Sequence, residues 1–130
     1  MTELDGRPET PGEFLLQPVG VARATGDPEV MVIQVHEQFA DALLGIEQQT
    51  HLLVLYWMHA LRPEVRNLLQ SHPRGDTTRP LRGVFALHSP MRPNPIGVTR
   101  VELMGVEGTR IHVRGLDAFD GSPIIDIKSG

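Results

Sequence analysis

Apolar positions along this chain recur mostly with the period of a strand. VMVIQV (30–35) is rich in β-branched residues, and HLLVLYWMH (51–59) is a continuous apolar run of strand length, expected to be buried on both faces. In IGVTRVELMGVEGTRIHVRGL (96–116), Thr99, Val101 and Leu103 alternate, and Ile111 and Val113 alternate on the return. That pattern predicts a hairpin with its turn at Glu107-Gly108. FLLQPVGVARA (14–24) reads as a first strand broken near Pro18, GVFAL (83–87) as a short strand, and IIDIK (124–128) as the last. The period changes in two places. Phe39, Ala42, Leu43 and Ile46 follow helical spacing within residues 36–50, and Pro63, Val65, Leu68 and Leu69 suggest a second short helix over 62–71. Between them and the next strand, SHPRGDTTRPLRG (71–83) is a long polar loop.

Many short strands, two short helices and no Gly-rich strand-to-helix phosphate loop favour one fold class: mainly β, a single-sheet antiparallel β-barrel with two short helices. A doubly wound α/β sheet does not fit. The 130 residues suit one domain, expected over 14–130 after a flexible polar lead-in at 1–13. No apolar run approaches the ~20 residues that cross a bilayer, so no membrane partner is expected. The N-terminal residues show no basic-then-apolar secretion pattern. The absence of cysteine rules out disulfides and thiolate chemistry and suits a cytoplasmic protein.

Formal net charge is −4, unevenly spread. Residues 62–100 hold Arg62, Arg66, Arg74, Arg79, Arg82, Arg92 and Arg100 against Glu64 and Asp76 alone. This basic segment could serve a polyanion such as RNA, or could simply be a solvated surface.

Three clusters carry candidate chemistry. In HSPMRPNPIG (88–97), three prolines stiffen a loop holding His88, Ser89, Arg92 and Asn94, so its polar groups are ordered before any ligand arrives. In LDAFDGSPIIDIK (116–128), Asp117, Asp120 and Asp126 surround a Gly-Ser-Pro turn. They lack the dense alternation of a calcium loop, and a pocket for a positively charged organic ligand suits them better than a metal. YWMH (56–59) ends an apolar strand, where His59 can emerge into a pocket while Tyr56 and Trp57 read as core aromatics. The histidines form no i, i+3 or i, i+4 pair, and no serine-nucleophile motif is present.

Taken together, RGVFALHSPMRPNPIGVTRVEL and VEGTRIHVRGLDAFDGSPIIDIK resemble the TsaA-like (YaeB/TrmO-like) family, whose pattern runs RGVFATRSPxRPNPIG and then LDxxDGTPxxDIKPY. QPVGVAR, FADALLGIE and HLLVLYWMH follow it too, so the likeness covers about residues 14–128. The resemblance implies an S-adenosyl-L-methionine-dependent methyltransferase, a homodimer with the cofactor near the subunit interface. Its best-known members methylate N6 of threonylcarbamoyl-adenosine at position 37 of tRNA. A related small-molecule methylation is the neighbouring expectation, and a binding module that has lost activity is the alternative. By resemblance, His59, His88, Ser89, Arg92, Pro93, Asn94, Gly97, Asp117, Asp120, Gly121, Pro123, Asp126 and Lys128 line the cofactor pocket. No residue is assigned as a general base, and none as a metal ligand. The chain departs from the pattern at Leu87-His88, where the family has Thr-Arg; at Ser122, where it has Thr; after Lys128, where the Pro-Tyr end is missing; and at ATGDPEV (24–30), where larger members carry Pro-Arg-Gln.

Overall fold

In the computed structural model, which describes residues 12–130, six strands close into an antiparallel barrel. The strands are β1 (Gly20–Ala24), β2 (Val30–Val35), β3 (His51–Trp57), β6 (Ile96–Glu107), β7 (Arg110–Arg114) and β8 (Pro123–Ser129). Around the barrel they run β1, β2, β7, β6, β3, β8. Two further strands, β4 (Gln70–Ser71) and β5 (Arg82–Gly83), pair only with each other. Most of the expected lead-in, residues 1–11, lies outside the described residues.

Alternation places the core. Met31, Ile33 and Val35 of β2, Leu52, Val54 and Tyr56 of β3, and Ile111 and Val113 of β7 point inward with Ala22, Val101 and Ile124. Closure leaves no unpaired sheet edge around the barrel, which is how a short all-β chain protects its backbone groups. The expectation that β3 is buried on both faces is corrected. Only Leu52, Val54 and Tyr56 are buried, whereas Leu53, Leu55 and Trp57 lie half-buried on the outer wall. A barrel has one dry side per strand, and the outer side is covered only in patches.

The two expected helices are 3₁₀ turns, at Glu37–Leu43 with Ile46–Gln48, and at Pro63–Asn67. The apolar spacing was nonetheless informative, because Phe39, Leu43 and Ile46 pack onto one end of the barrel. Gly45, at φ 82°, interrupts the winding before it can become an α-helix. The first strand starts at Gly20, not residue 14. Pro18 cannot donate to a ladder, and barrel bonding begins only with the Val19 amide on the Ile124 carbonyl at 2.8 Å. The 83–87 strand is likewise reduced to Arg82–Gly83, followed by a 3₁₀ turn at Val84–Ala86. The polar loop before it is closed by the β4–β5 ladder. The hairpin pairs Glu107 with Arg110, so its turn is Gly108-Thr109, one residue later than expected.

Two bulges shape the walls. β6 shifts register between Leu103 and Gly105, and β8 shifts where Leu55 opposes Asp126 but Tyr56 opposes Ile124. The second sets Ile125 aside as an extra residue and bends β8 beside Tyr56.

Candidate functional site

The proline loop is held from both sides. Arg92 acts as its hub: one terminal nitrogen donates to the carbonyls of Leu87 (3.1 Å) and Ser89 (3.2 Å), the other to that of Val84 (2.6 Å). A planar fork places donors on separate nitrogens, a geometry that the single nitrogen of a lysine does not reproduce. The Ser89 hydroxyl accepts the Met91 amide at 3.2 Å, and the Pro95 carbonyl accepts the Met58 amide at 2.8 Å, tying the loop to the end of β3. On the far side, Arg66 donates through Nε to the Pro93 carbonyl (2.7 Å) and through a terminal nitrogen to Asn94 Oδ1 (3.3 Å). Its guanidinium also lies 5.4 Å from the centre of the Trp57 ring.

The acidic turn is fixed as firmly. Asp120 Oδ1 accepts the Ala24 amide at 2.8 Å, and the Gly121 amide donates to the Ala22 carbonyl at 2.7 Å. Ser122 is buried, and its hydroxyl lies 3.4 Å from His59 Nδ1. Gly121 sits at φ 86°, a left-handed conformation that the turn into β8 requires and that other residues adopt at a cost.

Tyr56 joins the two. Its hydroxyl donates to the Asp117 carbonyl and lies 3.3 Å from Thr99 Oγ1, while its ring lies against Gly97. With the phenol proton committed to the carbonyl, Thr99 is the donor of the second bond. Burial pushes the Tyr56 phenol above its ordinary 10.0. The Thr99 hydrogen bond pulls the other way, and the Asp117 charge adds to the rise. The group therefore stays protonated and able to donate.

Above this floor opens a cavity of about 510 Å³. Met58, Ile96, Val98, Ala118 and Phe119 give it apolar walls, and Asp117, Thr99, Ser122, Arg92 and His88 give it polar points. Of the residues expected at the site, His88, Arg92, Gly97 and Asp117 line this cavity. His59 reaches its edge through Ser122, and Ser89 shapes the loop without lining it. Asp120 and Gly121 are spent on the β1 junction. Pro93 turns its carbonyl to Arg66, and Asn94 and Pro123 line a neighbouring groove of about 890 Å³ beside Trp57 and Phe14. Asp126 and Lys128 pair at 3.4 Å and line a third cavity of about 260 Å³ with Phe39 and Leu43. Asp117, Asp120 and Asp126 thus serve three separate places.

Sequence reasoning missed Tyr56, Thr99 and Arg66. An aromatic residue near the end of an apolar run reads as core, and only the hydrogen bond from its hydroxyl to the Asp117 carbonyl shows that it holds the acidic turn. Arg66 stood out only as one charge among the arginines of a basic segment.

A family model described as the tRNA-methyltransferase O N-terminal domain matches residues 17–129. A probable S-adenosyl-L-methionine-binding protein of Methanothermobacter thermautotrophicus is 43% identical over 128 residues, covering 89% of this chain and 89% of its own. An S-adenosyl-L-methionine-binding protein of Archaeoglobus fulgidus is 41% identical over 127 residues, with 88% of each chain covered. Among solved structures, one titled as the crystal structure of TrmO superposes with a TM-score of 0.69 at 28% identity, covering 91% of this chain and 57% of that one. TrmO from Pseudomonas aeruginosa gives 0.67 at 26%, covering 91% and 56%. The chain therefore spans a little over half the length of these solved relatives. By the family match and by its identity to these relatives, the chain belongs to the family of the tRNA-methyltransferase O N-terminal domain.

Proposed function

We propose that the chain binds S-adenosyl-L-methionine in the cavity between the proline loop and the acidic turn and acts as a methyltransferase. The observation that carries this reading is the meeting of the two segments, 84–97 and 116–122, over one buried tyrosine in a chain of this family. The residues present fit the group. The Asp117 carboxylate suits a sulfonium cation, the apolar walls suit an adenine face, and about 510 Å³ falls in the usual range for such pockets. When bound, S-adenosyl-L-methionine supplies an electrophilic methyl group. The chain's part is to hold and orient: Arg92 keeps the loop in shape, Tyr56 holds Asp117 in place, and half-buried Met58 and Ile96 limit water. Orientation is the larger lever here, because in-line methyl transfer needs alignment more than a strong base.

The acceptor we propose is tRNA, at N6 of threonylcarbamoyl-adenosine 37, with a related small molecule next. Arg62, Arg66, Arg74, Arg79, Arg82 and Arg100 are all exposed, which supports a polyanion. We further propose a homodimer, supported by exposed Met91 in the proline loop and exposed Phe119 at the cavity wall, and checked by sedimentation.

The test is calorimetric titration of the folded chain with S-adenosyl-L-methionine, followed by transfer of labelled methyl to tRNA. Saturable heat is expected, and its absence at millimolar ligand removes the reading. A tRNA complex should weaken steeply as salt rises. His88 favours a second reading, a module that binds without transferring, because this cavity-lining position carries arginine in the family pattern. Binding without transfer, with transfer appearing in His88→Arg, decides for it. Transfer by the native chain ends it.

A further inference from the structure

Strand alternation turns Tyr56 into the barrel and Trp57 out of it, onto the wall of the groove of about 890 Å³. Phe14 lines the same groove and is 71% exposed, in a segment that Pro18 keeps out of the sheet. Arg66 adds a guanidinium whose plane is set in advance. It lies 5.4 Å from the centre of the Trp57 ring and is held by the Pro93 carbonyl and Asn94 Oδ1. Asn94 is exposed and also lines the groove; with Oδ1 turned to Arg66, its N–H groups are what it offers a ligand. Among the described residues, Glu13 is the only acid in the lining and Arg66 the only cation, a balance that suits a neutral ring better than a phosphate. Two aromatic rings, a fixed guanidinium and an amide are the parts that stack an unpaired base and read its edge.

We propose that this groove takes an unpaired nucleobase of an RNA strand, stacked on its aromatic side chains, while another base of the strand enters the cavity at Asp117. The inference rests on the RNA acceptor reading and adds a second place that holds the strand. Ile96 lines both cavities, and the proline loop borders both, through Arg92 on one side and Asn94 on the other. One strand laid over that loop therefore reaches both.

Trp57 is the only tryptophan in the chain, so its fluorescence reports on this groove. Three probes are titrated: a short unpaired RNA, a strand of the same length with abasic riboses, and adenosine monophosphate as the isolated base. The RNA should quench Trp57 saturably, and the mononucleotide should do so at higher concentration. The abasic strand keeps every phosphate, yet it should bind more weakly and leave the fluorescence unchanged. Phe14→Ala should weaken the RNA by about tenfold, the scale of one lost base–aromatic stack, with S-adenosyl-L-methionine affinity as in the native chain. Phe14 is exposed and precedes β1, so its replacement should leave the barrel folded. Salt should weaken both strands and preserve the ratio between them, because stacking is not ionic. Equal affinity for RNA and abasic strand, unchanged in Phe14→Ala, overturns the base site and leaves the acceptor reading standing. If no strand binds, with or without quenching by the mononucleotide, both fall. Loss of S-adenosyl-L-methionine binding in Phe14→Ala would make the groove part of the cofactor site. Dissociation of a dimer in that variant would make a second copy the occupant. Either result overturns the proposal.

Discussion

Gly97→Ala is expected to lower unfolding stability by about 1–3 kcal/mol, the usual cost of overpacking a filled site, and Gly97→Val by more. A Cβ at 97 would lie 2.4 to 2.8 Å from the ring and hydroxyl of Tyr56, closer than real contacts allow. Tyr56 is buried and Gly97 is its register partner on β6, so neither strand can slide away without breaking the β3–β6 ladder. The ring must therefore move, and its hydroxyl moves with it, away from the Asp117 carbonyl. Methyl transfer should slow by about tenfold or more, since misplacing positioning groups by roughly an ångström is enough for such losses. Urea unfolding across a double-mutant cycle isolates the cause. In a Tyr56→Leu background the ring is gone, and Gly97→Ala should become nearly neutral. If it costs as much there as in the native chain, the ring contact is not the reason for the glycine.

The barrel was legible because alternation is a direct record of a strand with one dry face. Met31, Ile33 and Val35 or Ile111 and Val113 have no other economical reading. The helices misled for a related reason. Phe39, Leu43 and Ile46 do share a face, but a short connection interrupted by Gly45 winds as 3₁₀, and sequence spacing alone does not separate the two windings. At the candidate site, the stiff loop and the acidic turn were visible as local composition. What was not visible is how their residues divide. Arg92 reads as a ligand-binding arginine, yet its guanidinium serves three backbone carbonyls and shapes the loop. Asp126 and Lys128 lie in the same motif as Asp117 but on the far side of the β8 bulge, beside Phe39 and Leu43. A motif records proximity in sequence; which cavity each residue faces is decided by strand register and by where an extra residue bends the chain.

Tyr56→Phe should cost about 1–3 kcal/mol, because it leaves the Asp117 carbonyl without its donor while keeping the ring's packing. It is also the one change whose signature reaches into alkaline pH. The folded phenol titrates above 10.0, chiefly because it is buried, so above pH 10.0 the unfolded chain loses this proton first. The folded state then holds more protons than the unfolded one, and stability falls as pH rises from 10.0 through the folded value. Below 10.0 this contribution is fully present. Tyr56→Phe should remove that alkaline slope. Because Tyr56 is the only tyrosine in the chain, phenolate absorbance follows it alone. The native protein should ionise above 10.0 and the urea-unfolded protein near 10.0. Asp117→Asn should lower the folded value by removing a like charge, and Thr99→Val should raise it by removing a donor that favours the phenolate. A folded titration at the ordinary value, unmoved by either substitution, would mean that the hydroxyl is solvated rather than holding the acidic turn against the proline loop. The proposed cavity would then lose its floor.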